Sequence, residues 1–308
     1  MKPSVPPHTT MPLSSTRSEL LKTRLDQFTR VLNAVEQGDV RGLHRARVAS
    51  RRLRELLPVL ELDGDTIRKV NRRLKKLTRR LGGVREIDVL TQLLEELQGA
   101  RLAPLRALRR VGDEVREARD EAMGGFSHKS IPESFHRANR KLEHIAEKLA
   151  KIDDRGSRGR GWRWAIDARV SRRAAMLKTA IMEAGSMYMP ERLHMVRLAL
   201  KKLRYGVELS REAGGVAEPA DIRLLKRGQD LLGLLRDRQV LIDRVRQVQA
   251  SLDPPDMTAW RELDALVLSL EHSCRGIHAR YLQNQSRLIV LCDRFGARVN
   301  ASAARRAV

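Results

Sequence analysis

Aromatic side chains are scarce in this chain, with three Trp, three Tyr and four Phe among 308 residues. So few rings leave little for base stacking, the usual grip of proteins on single-stranded nucleic acid. Cys274 and Cys292 are the only cysteines, too few and too irregularly spaced for a disulfide framework or a thiolate metal site. No run of 18 or more apolar residues occurs, and Met1–Pro7 has no apolar stretch of signal-peptide length. The expectation is a cytoplasmic protein without a membrane span. Strand-like alternation of Val, Ile, Thr and aromatics is missing over any useful length, which argues against sheets. A Gly-rich phosphate loop and clustered carboxylates for Mg²⁺ are also missing, so no phosphoryl-transfer or hydrolytic activity is expected. Acidic residues are outnumbered, 38 against 61 basic ones, which leaves a net charge of +23. Of those cations 48 are Arg and 13 are Lys. The planar guanidinium fork binds phosphate oxygens two at a time, so the excess favours phosphate ligands.

What is present is a segment that occurs twice. Leu43-His44-Arg45-Ala46-Arg47-Val48-Ala49-Ser50-Arg51-Arg52-Leu53-Arg54 returns as Leu193-His194-Met195-Val196-Arg197-Leu198-Ala199-Leu200-Lys201-Lys202-Leu203-Arg204. Both copies keep His-x-x-Arg-x-x-x-basic-basic-Leu-Arg. On a helix His44, Arg47, Arg51 and Arg54 fall within an arc of about 80°, while Leu43, Ala46, Ala49, Leu53, Leu56 and Leu57 cluster opposite. One face packs and the other is a cationic stripe about 15 Å long. No carboxylate interrupts the stripe between His44 and Arg54 or between His194 and Arg204. Closely spaced cations repel, and the spacing points to an extended polyanion as partner. Neither stripe histidine has a second His at i+4, and His272 and His278 lie six residues apart, so no metal site is expected.

The chain reads as all-α. Residues 1–15 are expected to be a disordered tail, followed by an N-terminal helical half over 16–152, a linker over 153–161, a C-terminal helical half over 162–300 and a tail over 301–308. Thr16-Arg17-Ser18-Glu19 is a capping box that opens a first helix ending near Gly38. The first stripe helix is placed at 39–61, with Asp63-Gly64-Asp65 as a turn and cap for a helix over 66–81. Gly82-Gly83 is expected to break or kink the chain before a further helix. Helices over 102–123 and 132–152 complete this half, the latter capped by Ser130 with Glu133. The second half repeats the order, with helices over 162–184 and 190–212, one opened by Pro219, and a long final region after Pro254-Pro255.

A second repeated element supports a duplication. Leu81-Gly82-Gly83-Val84-Arg85-Glu86 aligns with Leu232-Gly233-Leu234-Leu235-Arg236-Asp237, and upstream Lys75-Lys76 aligns with Lys226-Arg227. The expected role of this element is a tight helix junction, with Gly permitting close packing and Arg85 or Arg236 paired to its acidic neighbour. The two elements together resemble the CHAD family, the conserved histidine α-helical domain, over about residues 16–300, and Lys201-Lys202-Leu203-Arg204-Tyr205 is especially close to its pattern. The resemblance implies two tandem antiparallel four-helix-type bundles related by a pseudo-twofold, with a basic groove between them that binds inorganic polyphosphate. Carried over position by position, the binding residues are His44, Arg47, Arg51, Arg52 and Arg54, and His194, Arg197, Lys201, Lys202 and Arg204. Lys75, Lys76, Lys226, Arg227 and Tyr205 are auxiliary. Glu55 stands where the second copy has Tyr205, which predicts unequal half-sites. Association with polyphosphate granules is a further implication. The Glu-x-Glu-x-Lys motif of the triphosphate-processing domain often fused to this family is absent, so no catalysis and no cofactor are carried over. Non-specific nucleic-acid binding is the alternative reading.

Overall fold

The computed structural model describes residues 16–37, 39–100, 104–124, 130–154, 161–215, 217–252 and 256–304. Among these residues there are ten α-helices and no strands, so the protein is all-α. None of the described helices is long and apolar enough to cross a membrane. The helices are α1 (Arg17–Thr29), α2 (Leu32–Glu36), α3 (Val40–Leu56), α4 (Gly64–Gly99), α5 (Leu105–Gly124), α6 (Ser130–Asp154), α7 (Gly161–Ala184), α8 (Pro190–Glu212), α9 (Pro219–Ala250) and α10 (Met257–Ala304).

Several boundaries follow the local chemistry read from the sequence. Thr16 caps α1 and exchanges hydrogen bonds with Glu19 as a capping box, and Asp63 accepts from the Thr66 amide to cap α4. Others differ. The first expected helix is two, α1 and the short α2, and Gly38 lies outside the described residues. The first stripe helix stops at Leu56 and passes into a 3₁₀ turn, Leu57–Val59, where Pro58 has no amide to continue an α-helical ladder. Gly82-Gly83 does not break the chain, because α4 runs through both residues. A helical glycine costs about 1 kcal/mol, and apolar packing holds both ends of α4, through Leu74, Leu77 and Leu81 on one side and Leu90, Leu93, Leu94 and Leu97 on the other. Ser130 is the first residue of α6 rather than a residue before it. The expected linker is shortened from both sides: Asp153 and Asp154 belong to α6 and Gly161 opens α7, with 155–160 outside the described residues. Asp153 is tied down because it accepts from Arg17 Nε at 2.8 Å and from the Ser18 amide at 3.0 Å. Helix α10 reaches Ala304, into the expected tail. Residues 1–15, Pro254-Pro255 and 305–308 lie outside the described residues.

Two apolar cores organise these helices. The larger takes residues from α1, α3, the first part of α4, α6, α7, α8, the first part of α9 and the last part of α10. The smaller joins the far end of α4 and α5 to the far end of α9 and the start of α10. Two long hairpins, α4–α5 and α9–α10, thus reach out of the main core and pack on each other. Each core contains residues from both sides of the expected linker. Helices α3 and α8 are in contact, as are α4 and α9.

Candidate polyanion-binding groove

The stripe helices are oriented by their apolar faces. Leu43, Ala46, Ala49, Leu53 and Leu56 of α3 are all buried, and so are Leu193, Val196, Leu200, Leu203 and Val207 of α8. With those faces fixed in the core, helical geometry sends the cationic faces toward the junction of α3 and α8. A groove of about 730 Å³ lies there. His44, Arg47 and Arg51 line it from α3, and His194, Arg197, Lys201, Arg204 and Tyr205 line it from α8. The remaining walls are α4, through Glu86, Val89 and Leu90, and α9, through Gln229, Asp230, Gly233, Leu234, Arg236, Asp237 and Val240.

Not every expected residue joins the groove. Arg52 and Lys202 follow Arg51 and Lys201 by one position, about 100° around the helix, and neither lines it. Arg52 reaches Glu208 at 3.9 Å. Arg54 and Arg204 occupy matching positions yet differ. Arg204 lies over the Tyr205 ring at 4.9 Å and donates to Gln229 Oε1 at 2.9 Å and Glu208 Oε1 at 2.6 Å. The positions matching Tyr205 and Glu208 in the first half are Glu55 and Pro58, so Arg54 lacks both anchors and donates instead to Asn71 Oδ1 at 3.1 Å. Lys75 lines neighbouring concavities beside Arg54. Lys76, Lys226 and Arg227 are absent from the groove lining.

Electrostatics within the groove are strained. Burial lowers the Lys201 ammonium from its ordinary 10.5 to about 7, and Arg51, Arg197, Arg47 and Arg204 push in the same direction. Burial also lowers Arg197, assisted by Arg51 and Arg236 and opposed by Asp237. His194 is lowered by burial and by Arg236 and Arg197, against a weaker pull from Glu191, which keeps it neutral at pH 7. His194 Nδ1 and Arg197 Nε are buried and have no hydrogen-bond partner among the described residues. Six guanidinium or ammonium groups face three carboxylates across this lining, Glu86, Asp230 and Asp237. The carboxylates come from α4 and α9, so the cations are only partly compensated. Among the described residues no group of three or more His, Cys, Asp or Glu is placed to hold a metal ion.

Buried ion pairs set the register of the stripe helices. Glu55 of α3 accepts from Arg169 Nε at 2.9 Å and from the Arg173 guanidinium at 2.8 Å, and Arg173 also donates to the Lys202 carbonyl at 2.7 Å. Glu212 of α8 accepts from Arg24 Nε of α1 at 2.9 Å. Each stripe helix is therefore pinned near its C-terminal end by an arginine from the opposite half. Gly206 allows this approach, since a Cβ there would sit 3.2 Å from the Arg173 guanidinium.

In its second copy the Leu-Gly-x-x-Arg-acid element forms part of the groove wall. Gly233, Arg236 and Asp237 all line the cavity, and a Cβ on Gly233 would meet nothing within 4 Å, so no close packing requires glycine. The Arg85 side chain lies outside the described residues. Repetition of the element was the available signal for Arg236. Nothing in the spacing pointed to Gln229 or Asp230, which α9 brings in from a different helix.

Comparison with known proteins places this arrangement. The sequence model of the CHAD domain family matches residues 19–246. Two solved structures are similar in fold: PptA from Streptomyces chartreusis, at 18% identity and a TM-score of 0.58 over 89% of this chain and 100% of that one, and the CHAD domain from the plant Ricinus communis, at 17% identity and a TM-score of 0.58 over 89% of this chain and 93% of that one. No curated protein matches the sequence.

Proposed function

From the premise that this chain belongs to the CHAD domain family, we propose that it is a non-catalytic binder of inorganic polyphosphate, held in the groove between α3 and α8. The observation that carries this reading is the convergence of Arg47 and Arg51 of α3 with Arg197, Lys201 and Arg204 of α8 on one groove, and the lowered ammonium of Lys201 is in keeping with it. A polyphosphate chain laid along the groove supplies the missing counter-charge through charge-assisted hydrogen bonds and releases its own condensed counterions on binding. Arg47, Arg51, Arg197, Lys201, Arg204 and Arg236 neutralise phosphate oxygens, and His44 and His194 each offer a ring N–H. Binding to the polymer recruits the protein to polyphosphate granules in the cell.

The deciding experiment is competition of long-chain polyphosphate against duplex DNA, single-stranded RNA and ATP at physiological salt. Polyphosphate should displace the nucleic acids at equal phosphate concentration, and ATP should not compete. Displacement in the other direction would assign the groove to nucleic acid. With six cations engaged at about 0.7 each, the plot of log affinity against log salt should have a slope near −4. The variant carrying Arg47→Glu, Arg51→Glu, Arg197→Glu and Lys201→Glu should lose binding with unchanged far-UV circular dichroism; retained binding by that folded variant would move the site elsewhere.

A further inference from the structure

Two concavities adjoin the groove along α3 and α4. The nearer, of about 410 Å³, shares Arg47, Arg51 and Glu86 with the groove and adds Arg54, Lys75 and Arg79. The outer, of about 530 Å³, shares Arg54 and Lys75 with the nearer one and adds Arg68, Asn71 and Arg72. The helices run antiparallel here, because Arg47 donates to the Leu81 carbonyl at 2.8 Å and Arg54 to Asn71. Ten helical residues of α4 separate those two contacts, about 15 Å, so the groove continues outward as a track roughly as long as the stripe itself.

The opposite half does not match it. Residues 68–80 of α4 carry eight cations and no carboxylate, whereas the aligned residues 219–231 of α9 carry three cations and two carboxylates. On that side Arg204 is held by Glu208 and Gln229, and Asp230 stands in the groove wall. Negative charge is thus drawn far more strongly along α4 than along α9, where three cations stand against two carboxylates.

We infer that a polyphosphate chain longer than the groove leaves it on one side only, over the α3–α4 surface, so that affinity depends on chain length through Arg68, Arg72 and Lys75. This rests on the polyphosphate reading above. These three side chains are exposed, and Arg68 pairs with Asp65 only at the surface, a contact that holds it weakly.

The test compares two triple variants of the full chain that remove equal charge from exposed or half-exposed helical positions: Arg68→Gln with Arg72→Gln and Lys75→Gln, against Arg223→Gln with Lys226→Gln and Arg227→Gln. Gln is as good a helix former as Arg or Lys. Each is titrated with long-chain polyphosphate and with tripolyphosphate, which is too short to occupy both groove and track. The α4 variant should lose at least about tenfold in long-chain affinity and about 2 from the salt slope, at about 0.7 per lost contact, with tripolyphosphate affinity held within about twofold. The α9 variant should keep both. Equal losses in the two variants, no loss in either, or equal loss for both ligands would overturn the one-sided track. Failure of the unaltered chain to bind either ligand would instead defeat the polyphosphate reading, and the track with it.

Discussion

Lys201 is the residue at which the groove's excess charge is concentrated, and its titration carries a sign that can be worked out. Its folded value of about 7 lies below the ordinary 10.5, so between these limits the unfolded chain binds more protons than the folded one. The stability of the free protein therefore rises with pH across that window and is lowest, for this group, below about pH 7. Binding has the opposite dependence. A polyanion favours the ammonium, so complex formation takes up a proton above pH 7, and affinity for polyphosphate should fall as pH rises from 7 toward 10. Calorimetry in buffers of different ionisation enthalpy should register this uptake at pH 8, and Lys201→Met should abolish it. An unchanged proton count in that variant would assign the uptake to another group. Glu55 illustrates a different residue-scale lesson. It replaces the tyrosine of the second copy, and it is buried against Arg169 and Arg173 instead of facing ligand. Arg173→Met leaves Glu55 with Arg169 as its remaining partner at 2.9 Å, so it should destabilise in urea denaturation by less than the roughly 3–5 kcal/mol of a fully orphaned buried charge.

At the scale of the element, the stripe helices show how an apolar face positions a polar one. The leucines and alanines of α3 and α8 fix the rotation of each helix in the core, and the cations follow. Two glycines in the same region have opposite roles. A Cβ at Gly42 would lie 2.3 Å from the Ala34 side chain, so this glycine permits α2 to lie against the start of α3. Gly42→Ala should destabilise by about 1–3 kcal/mol through overpacking. At Gly233 the space is open, and Gly233→Ala should stabilise the helix by about 0.5–1 kcal/mol. Thermal denaturation of the two variants reads both signs, and a loss of stability at Gly233 would show that the backbone there needs its freedom.

Across the whole molecule, both apolar cores draw on helices from the two sides of the linker region, and the Arg24–Glu212 and Arg173–Glu55 pairs cross between them. Two independent bundles would unfold separately, whereas shared cores couple them. Urea unfolding should accordingly be a single transition, coincident by circular dichroism and by tryptophan fluorescence, which reports on Trp162, Trp164 and Trp260. The fragment 162–308 expressed alone should show no cooperative transition. Two separated transitions in the full chain would mean that the interface contributes little. The tandem duplication stands as our reading of the repeated motifs, and the halves as folded are unequal: one long helix, α10, spans both cores where the first half uses α5 and α6.

Much of this was legible in the linear order of residues. Periodicity defines helices from the chain itself, so the all-α class, the bounds of α8 and the opening of α9 at Pro219 could be read directly, as could the buried face of α3, because each depends on neighbours within a few turns. Capping at Thr16 and Asp63 is equally local. The charge of each stripe and its lack of acids are also sequence properties. Tertiary structure alone decided that the two stripes face one another, because that depends on how two helices about 150 residues apart in sequence pack into one apolar core. It also decided that Arg54 lies in the adjoining concavity instead of the groove lining and that Glu86, Asp230 and Asp237 enter the groove, because walls built from α4 and α9 bring in partners that no spacing along α3 or α8 encodes. The continuity of α4 through Gly82-Gly83 has the same origin: a local cost of about 1 kcal/mol per glycine is outweighed by packing against helices distant in sequence.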